Sequence, residues 1–330
     1  MRGSVFHVVR LPSVNDEVSE VSDCGPAAMC GTLVSVMTKL LYYITVGTIG
    51  AVGALASYAS APEASYDHGG RRLVWHDEFD GTAIDKTKWQ VWGTMSSTDN
   101  VYTNDERTVR VADGLLRLRV LPANMPGKVA MLPRGLVTRD RMAFRYGYLE
   151  MRARVPFRHG AWPSFWLQSF QPALPKADWL SEIDVLESFA ITNAVVANLH
   201  KWRGKDHVML PGGEGSLKRA YIFADAAHLN DEFHVYAMEW MPETISFLVD
   251  GERFMTVPID EAHDFAPKPL SGMAGFHDPH YVIFNNEVFT PGHGWCPEGK
   301  QLLPSDPFPI DYEIDWVRLW QKDGEELLRY

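Results

Sequence analysis

Cysteine is scarce in this 330-residue chain: Cys24, Cys30 and Cys296 are the only three. They form no disulfide framework and no CxxC metal pattern, so stability has to come from an ordinary apolar core. Positive charge is short as well. With 31 Lys and Arg against 42 Asp and Glu the formal net charge is −11, which argues against nucleic acid as a partner, because polyanion binding draws its affinity from clustered cations. Helical periodicity is missing too: after Ala61 no apolar i, i+3, i+4, i+7 pattern persists for the length of a helix. What the chain has in quantity is aromatic, with 11 Trp, 12 Tyr and 16 Phe. That supply excludes general disorder and is enough for a sizeable core.

Residues 40–61 read LLYYITVGTIGAVGALASYASA, an uncharged run preceded by Lys39 and ending in Ala59-Ser60-Ala61. The run has the character of a signal peptide, with translation starting at Met37. The expected organisation is an upstream extension over 1–36 without a fold signal, a signal peptide over 37–61, and one folded domain over 62–330. Export would remove Cys24 and Cys30 and leave a secreted monomer with no stable membrane association. An uncleaved anchor over residues 40–59 is the alternative, since about 20 apolar residues suffice to span a bilayer. Either way the rest of the chain lies outside the cytoplasm.

From Arg72 onward, short alternating runs are separated by turn residues. Gly114-Leu-Leu-Arg-Leu-Arg-Val, Tyr146-Gly-Tyr-Leu-Glu-Met-Arg-Ala-Arg-Val, Phe233-His-Val-Tyr-Ala-Met-Glu-Trp and Ile245-Ser-Phe-Leu-Val-Asp-Gly-Glu-Arg-Phe all have period two, the mark of a half-buried strand. Asp113-Gly114 and Asp250-Gly251 lie between such runs and predict hairpin turns. The economical reading is an all-β sandwich or barrel, with a long loop from Pro291 to Pro309 before a last strand, Tyr312 to Gln321.

Chemistry becomes specific at Trp179-Leu-Ser-Glu182-Ile-Asp184-Val-Leu-Glu187. On a strand Glu182 and Asp184 share a face, while Glu187, five residues from Glu182, points away. A β-bulge at Val185-Leu186 would return Glu187 to the face of the other two. Crowded carboxylates push one pKa upward. That suits retaining glycoside hydrolysis, which needs one ionised carboxylate to attack the anomeric carbon and one protonated carboxyl about 5–5.5 Å away. A third acid between them can hydrogen-bond the nucleophile and separate the two titrations. The bland alternative is an exposed acidic strand that aids solubility. Against it, Ile183, Val185 and Leu186 are apolar, so the strand belongs to the core and its polar face must look into something. Just upstream, Gly160-Ala-Trp162-Pro-Ser-Phe-Trp166 sets two tryptophans four apart on one strand face, a platform for sugar rings or a piece of core packing.

Taken together, these motifs resemble glycoside hydrolase family 16. The resemblance also draws on Leu73-Val-Trp75-His-Asp-Glu78-Phe-Asp-Gly, Tyr146-Gly-Tyr-Leu-Glu-Met-Arg, Phe233-His-Val-Tyr-Ala-Met-Glu-Trp240 and Ile314-Asp315-Trp316-Val-Arg-Leu, in the expected order over residues 73 to 320. It implies a jelly-roll β-sandwich, concanavalin A-like, whose concave sheet forms a substrate cleft. By position it makes Glu182 the nucleophile, Asp184 its assistant and Glu187 the general acid/base of an endo-acting double displacement. The extra residue between Asp184 and Glu187 resembles the branch of laminarinases, agarases, porphyranases and carrageenases. Lichenases and xyloglucan-active enzymes typically lack it. His200, in Asn198-Leu-His200-Lys-Trp202, stands where the family often has a histidine facing the cleft. Trp162, Trp166, Trp179, His200 and Trp202 would hold the polysaccharide.

Two departures bear on the substrate. The family's usual Trp-Pro-Ala-Phe-Trp-Leu-Leu ends here in the polar Gln168, and the segment His200 to Gly215 carries Arg203, Lys205 and His207. A β-1,3-glucan such as laminarin is the leading substrate, with agarose, porphyran or carrageenan as the β-galactan alternative. The resemblance also implies a structural calcium ion at Glu78, Gly114 and Asp315, remote from the chemistry, and no cofactor for bond cleavage. The rival readings are a lectin-like protein that binds sugars without cutting them, and a transglycosylase on the same fold.

Overall fold

Period-two alternation lets one face of each run enter a core and the other meet solvent, and the structure uses nearly every such run. The computed structural model describes residues 68–92, 99–170, 180–203, 206–210, 219–225, 231–259, 275–290 and 299–330, all within the unit Ser60–Tyr330. The expected extension and signal peptide lie outside these residues. In chain order the strands are β1 (Arg72–Asp77), β2 (Gln90–Val91), β3 (Asn100–Thr103), β4 (Val109–Ala112), β5 (Leu115–Pro122), β6 (Ala130–Pro133), β7 (Leu136–Val137), β8 (Met142–Arg145), β9 (Gly147–Arg154) and β10 (Ala161–Ser169). They continue with β11 (Leu180–Glu187), β12 (Ala194–Arg203), β13 (Asp206–Leu210), β14 (Ala220–Ile222), β15 (His234–Trp240), β16 (Thr244–Val249), β17 (Glu252–Pro258), β18 (His280–Val288), β19 (Ile310–Gln321) and β20 (Glu326–Arg329).

These strands make two sheets. One runs β17-β16-β15-β9-β19-β5-β6-β3, with β1 on β19 and β4 on β5; the other runs β13-β12-β11-β10-β18-β7-β2, with β14, β8 and β20 attached. All pairings are antiparallel except β3 with β6. Both expected hairpins form: Asp113 and Gly114 have φ of 57° and 72°, Asp250 and Gly251 of 49° and 80°, the left-handed pair that a tight two-residue turn needs. The strand expected to be the last starts two residues earlier, at Ile310, and a further strand, β20, follows it and pairs with β8. A 3-10 turn, Gly275–His277, lies among the described residues, and among them no helix is long and apolar enough to cross a membrane.

The core lies between the sheets. Leu149, Met151, Met238, Phe247 and Val317 of the first sheet meet Phe165, Leu167, Ile183, Leu186, Leu199 and Phe284 of the second in one buried cluster. Each such side chain contributes about 1.5–3 kcal/mol by leaving water. On the second sheet this fixes which alternate residues turn outward, and those form the face described next.

The entry to β10 is tightly constrained. Gly160 has φ of 70°, donates to the Lys300 carbonyl at 2.7 Å and accepts from the Phe289 amide at 2.8 Å. A Cβ there would lie 2.3 Å from the Leu302 side chain. The left-handed backbone costs an L-residue about 1–2 kcal/mol and the clash a further ~1–3 kcal/mol. Gly160→Ala should therefore lower unfolding free energy by about 3 kcal/mol in urea titrations. A loss under about 1 kcal/mol would show that Leu302 yields freely.

Candidate active site

The acidic face is built by a break in the alternation of β11. Against β10, Trp166 faces Asp184 and Phe165 faces Leu186, so Val185 has no counterpart. Against β12, Asp184 faces Asn198 and Glu187 faces Val196, three residues taking the place of two. This is a β-bulge, at the position where the sequence demanded one. Ile183, Val185 and Leu186 all enter the core cluster, and Glu182, Asp184 and Glu187 share the opposite face.

Neighbouring strands complete that face through register. From β10 come Trp162, Ser164, Trp166 and Gln168, from β18 Tyr281, Ile283, Asn285 and Glu287, from β12 Asn198, His200 and Trp202, and from β13 His207 and Met209. Gln168 stands directly across from Glu182 and accepts the Tyr281 hydroxyl at 2.7 Å. Its polarity follows from its place on the acidic face rather than in the core.

Hydrogen bonds hold each carboxyl group. Trp162 Nε1 donates to Glu187 Oε1 at 3.0 Å and Asn198 Nδ2 to Glu187 Oε2 at 2.8 Å. The side chain of Asn198 is in turn fixed by Arg219, just before β14, whose Nη1 donates to its Oδ1 at 2.9 Å. Asp184, 3% exposed, meets His200 Nε2 at 2.8 Å and is also bonded by Asn198 and Glu182. Trp202 is close enough to Glu182 to favour its ionised form, although its Nε1 closes no well-aligned hydrogen bond.

Electrostatics follow from this dry, crowded setting. Burial, reinforced by the charge of Asp184, pushes Glu187 up to about 8, against the pull of the Trp162 and Asn198 donors. Glu182 is raised by burial and by Asp184 beside it. Asp184 is raised by burial, with Asn198 and Arg219 opposing. Glu182 and Asp184 titrate as a pair, so near neutral pH they share a proton. Burial lowers the pKa of His200, which is therefore a neutral imidazole with one N–H. Ligand-type atoms of Glu182, Asp184 and His200 lie within 4.8 Å of one another, a spacing open to a cation as well as to a shared proton.

The tryptophans divide by role. Trp162 stacks on Phe289, ring centroids 4.9 Å apart at 6°, and spends its N–H on Glu187. Trp166 donates to Asn285 Oδ1 at 2.6 Å and leans on Trp92 at 5.3 Å. Trp202 has one face covered by His207, 3.6 Å away at 6°. Trp179, Lys205 and the side chain of Arg203 lie outside the described residues.

Three participants escaped the sequence reading. Asn198 was findable, because it sits two residues before His200 and so must share its face. Arg219 had no local signal, and Glu287 had none either. Glu287 is cross-strand from Trp162, accepts the Tyr102 hydroxyl at 2.7 Å and is raised to about 7 by burial.

The suggested calcium ligands gather along β19 on the other sheet, but their carboxylates are already engaged. Arg318 donates to both oxygens of Glu78, at 3.0 and 2.8 Å, and Arg152 pairs with Asp315. Gly114 lies in the β4–β5 turn. A calcium ion needs several free oxygen donors, and with both carboxylates held by guanidinium groups this set fits one poorly.

Known proteins carry the same architecture. A glucan endo-1,3-beta-glucosidase A1 from Niallia circulans is 27% identical over 277 residues, which cover 77% of this chain and 38% of that protein. A beta-glucanase from Rhodothermus marinus is 29% identical over 259 residues, covering 76% of this chain and 85% of its own length. Among solved structures, one from a study of endo-acting O-glycanases of the human gut microbiota superposes with a TM-score of 0.61 at 26% identity, covering 77% of this chain and 92% of that one. The family described as beta-porphyranase A–D, GH16 domain, matches residues 74–322. That match runs from within β1 to the end of β19 and takes in the whole acidic face, so the chain belongs to glycoside hydrolase family 16.

Proposed function

We propose that this chain is a retaining, endo-acting glycoside hydrolase that cuts β-1,3-glucan, with Glu182 as nucleophile, Glu187 as general acid/base and Asp184 as the assistant of Glu182. The observation that carries the reading is the bulge at Val185, which sets three buried carboxyl groups on one face with different protonation. Glu187 is protonated at neutral pH and can protonate the leaving glycosidic oxygen. The shared proton of the other pair can reside on Asp184, leaving Glu182 ionised to attack the anomeric carbon. The bond to the leaving sugar breaks as the bond to Glu182 forms. Glu187, now a carboxylate, takes a proton from water, whose oxygen displaces Glu182 with net retention. Both displacements are accounted for by these carboxyl groups and one water molecule. Trp166 and Trp202 are proposed to orient the polysaccharide, and Trp162 to orient Glu187.

The glucan-acting names of the two curated relatives support β-1,3-glucan as substrate. The porphyranase-group match favours a second reading, a β-galactan. A reducing-end assay on laminarin, agarose, porphyran and carrageenan distinguishes them: release from laminarin alone supports the first and release from a galactan alone the second. Binding with no new reducing ends would leave a lectin. The apolar run 40–61 supports export, with hydrolysis taking place outside the cytoplasm by a monomer.

Two tests follow from the assigned roles. Glu182→Ala should lower kcat on the active glycan by about 10⁴-fold or more with the fold intact; a variant keeping most of its turnover would remove Glu182 from the chemistry. The second test is pH. Turnover should fall as pH rises through about 8, where Glu187 gives up its proton. Stability moves in the same sense. The unfolded chain releases that proton near 4.5 while the folded state holds it until about 8, so the folded state loses stability as pH rises between those values. Glu187→Gln removes this loss. Its Tm advantage over the parent should widen from pH 4.5 to pH 8, and a constant difference would show that Glu187 is not raised.

A further inference from the structure

A short relay of rings leads from the acidic face to solvent. His200 of β12 touches Asp184 Oδ2 with Nε2 at 2.8 Å and His207 Nε2 with Nδ1 at 2.7 Å. His207, on β13, is exposed and lies flat on Trp202 at 3.6 Å, which fixes the plane of its imidazole. The charged and titratable groups facing His200 are Glu182, Asp184 and Glu187 from β11, Arg219 from the turn before β14, and His207 from β13.

A neutral imidazole has one N–H, yet both nitrogens of His200 have a partner at hydrogen-bond distance. One contact must be donated by His200 and the other received. Asp184 directs the proton it shares at Glu182, so toward His200 its Oδ2 can only accept; Nε2 must therefore carry the proton and Nδ1 must receive one from a neighbour. We propose that His207 is a positioning residue: its Nε2–H donates to Nδ1 of His200 and thereby holds His200 in the tautomer that donates from Nε2 to Asp184. The inference rests on the glycosidase reading above and adds to it a residue that touches none of the three carboxyl groups.

The consequence reaches the nucleophile through the proton shared by Asp184 and Glu182. With Nδ1 of His200 satisfied, Asp184 receives a hydrogen bond from His200 and keeps the shared proton directed at Glu182. Without a donor at Nδ1, His200 can place its proton there and turn Nε2 into an acceptor. Only protonated Asp184 can then satisfy Nε2, and the proton is drawn from Glu182 toward His200.

Two substitutions separate the donor from the ring. His207→Phe keeps an aromatic on Trp202 but has no N–H, whereas His207→Gln supplies an N–H donor without the ring. The Phe variant should lose about tenfold in kcat and the Gln variant should stay within about threefold of the parent, both with KM within about twofold. Equal losses in both, or none in Phe, would overturn the proposal. Imidazole ¹⁵N shifts of His200, assigned by comparison with His200→Gln, read the tautomer without turnover. The parent should be protonated at Nε2 and the Phe variant at Nδ1. A parent protonated at Nδ1 overturns the assignment even if the enzyme is active. Because this readout needs no substrate, it stands or fails apart from the glycan assay.

Discussion

Alternation rules every strand of the acidic sheet except at Val185, and the rest of the site depends on that exception. Ile183, Val185 and Leu186 are each at most 3% exposed. A regular strand would turn Glu187 into the same core and expose Leu186. Burying an unpaired carboxylate costs several kcal/mol, and the loss of Leu186 from the core would add about 1.5–3 kcal/mol. Packing and chemistry thus demand the same local distortion: the residues that fill the core also present the acid. The bulge is held from both sides, since the register steps against β10 and against β12 at the same place.

The two sheets treat most of their carboxylates differently. On the sheet built around β19, Glu150 is raised by burial and bonded by Trp320 and His68, but arginines meet several others directly. Glu313 is gripped by Arg117 and Arg154, Glu78 by Arg318, Asp311 by Arg119 and Asp315 by Arg152. Burial alone would raise Glu313 and Glu78, but their arginines outweigh it and both end below the usual range. On the acidic sheet the direct partners are neutral: an indole, an amide and an imidazole. Arg219 reaches Glu187 only through the amide of Asn198. With the cation held one side chain away, burial wins and Glu187 stays protonated at neutral pH. Direct contact with a guanidinium would ionise it and remove the acid that the proposed mechanism requires.

Much of this was legible in the sequence, for identifiable reasons. Period-two runs and the Asp-Gly pairs mark strands and turns through local sterics alone, and the spacing of the acids against their apolar spacers forces the bulge. Gln168, which broke the expected pattern and was read as bearing on the substrate, marks the acidic face instead, across from Glu182. Arg219 was not legible, because it reaches the site by packing across β12 from a segment with no periodicity of its own. The tryptophans were legible as residents of the acidic face but not in their roles. That Trp162 spends its N–H on Glu187, and that Trp202 is half covered by an imidazole, depends on pairings between strands that no spacing encodes. The arginines that take up Glu78 and Asp315 were hidden for the same reason, since Arg152 and Arg318 meet them across strands.

In the proposed mechanism, the donors on Glu187 let one residue act first as acid and then as base. Protonated Glu187 uses the Trp162 and Asn198 N–H groups only weakly, since its carboxyl group is neutral. Once the proton has gone to the leaving oxygen, both oxygens carry charge and both already have a donor in place, at 3.0 and 2.8 Å. Hydrogen bonds to a charged group are stronger than those to a neutral one, so the same two contacts gain strength as the proton leaves. The donors need not reorganise, because Phe289 holds the indole and Arg219 holds the amide. The site is thus arranged around the state that follows proton transfer, which is where preorganised dipoles lower a barrier. Burial opposes this by raising the proton affinity of Glu187, and the balance between the two keeps the group poised near neutral pH.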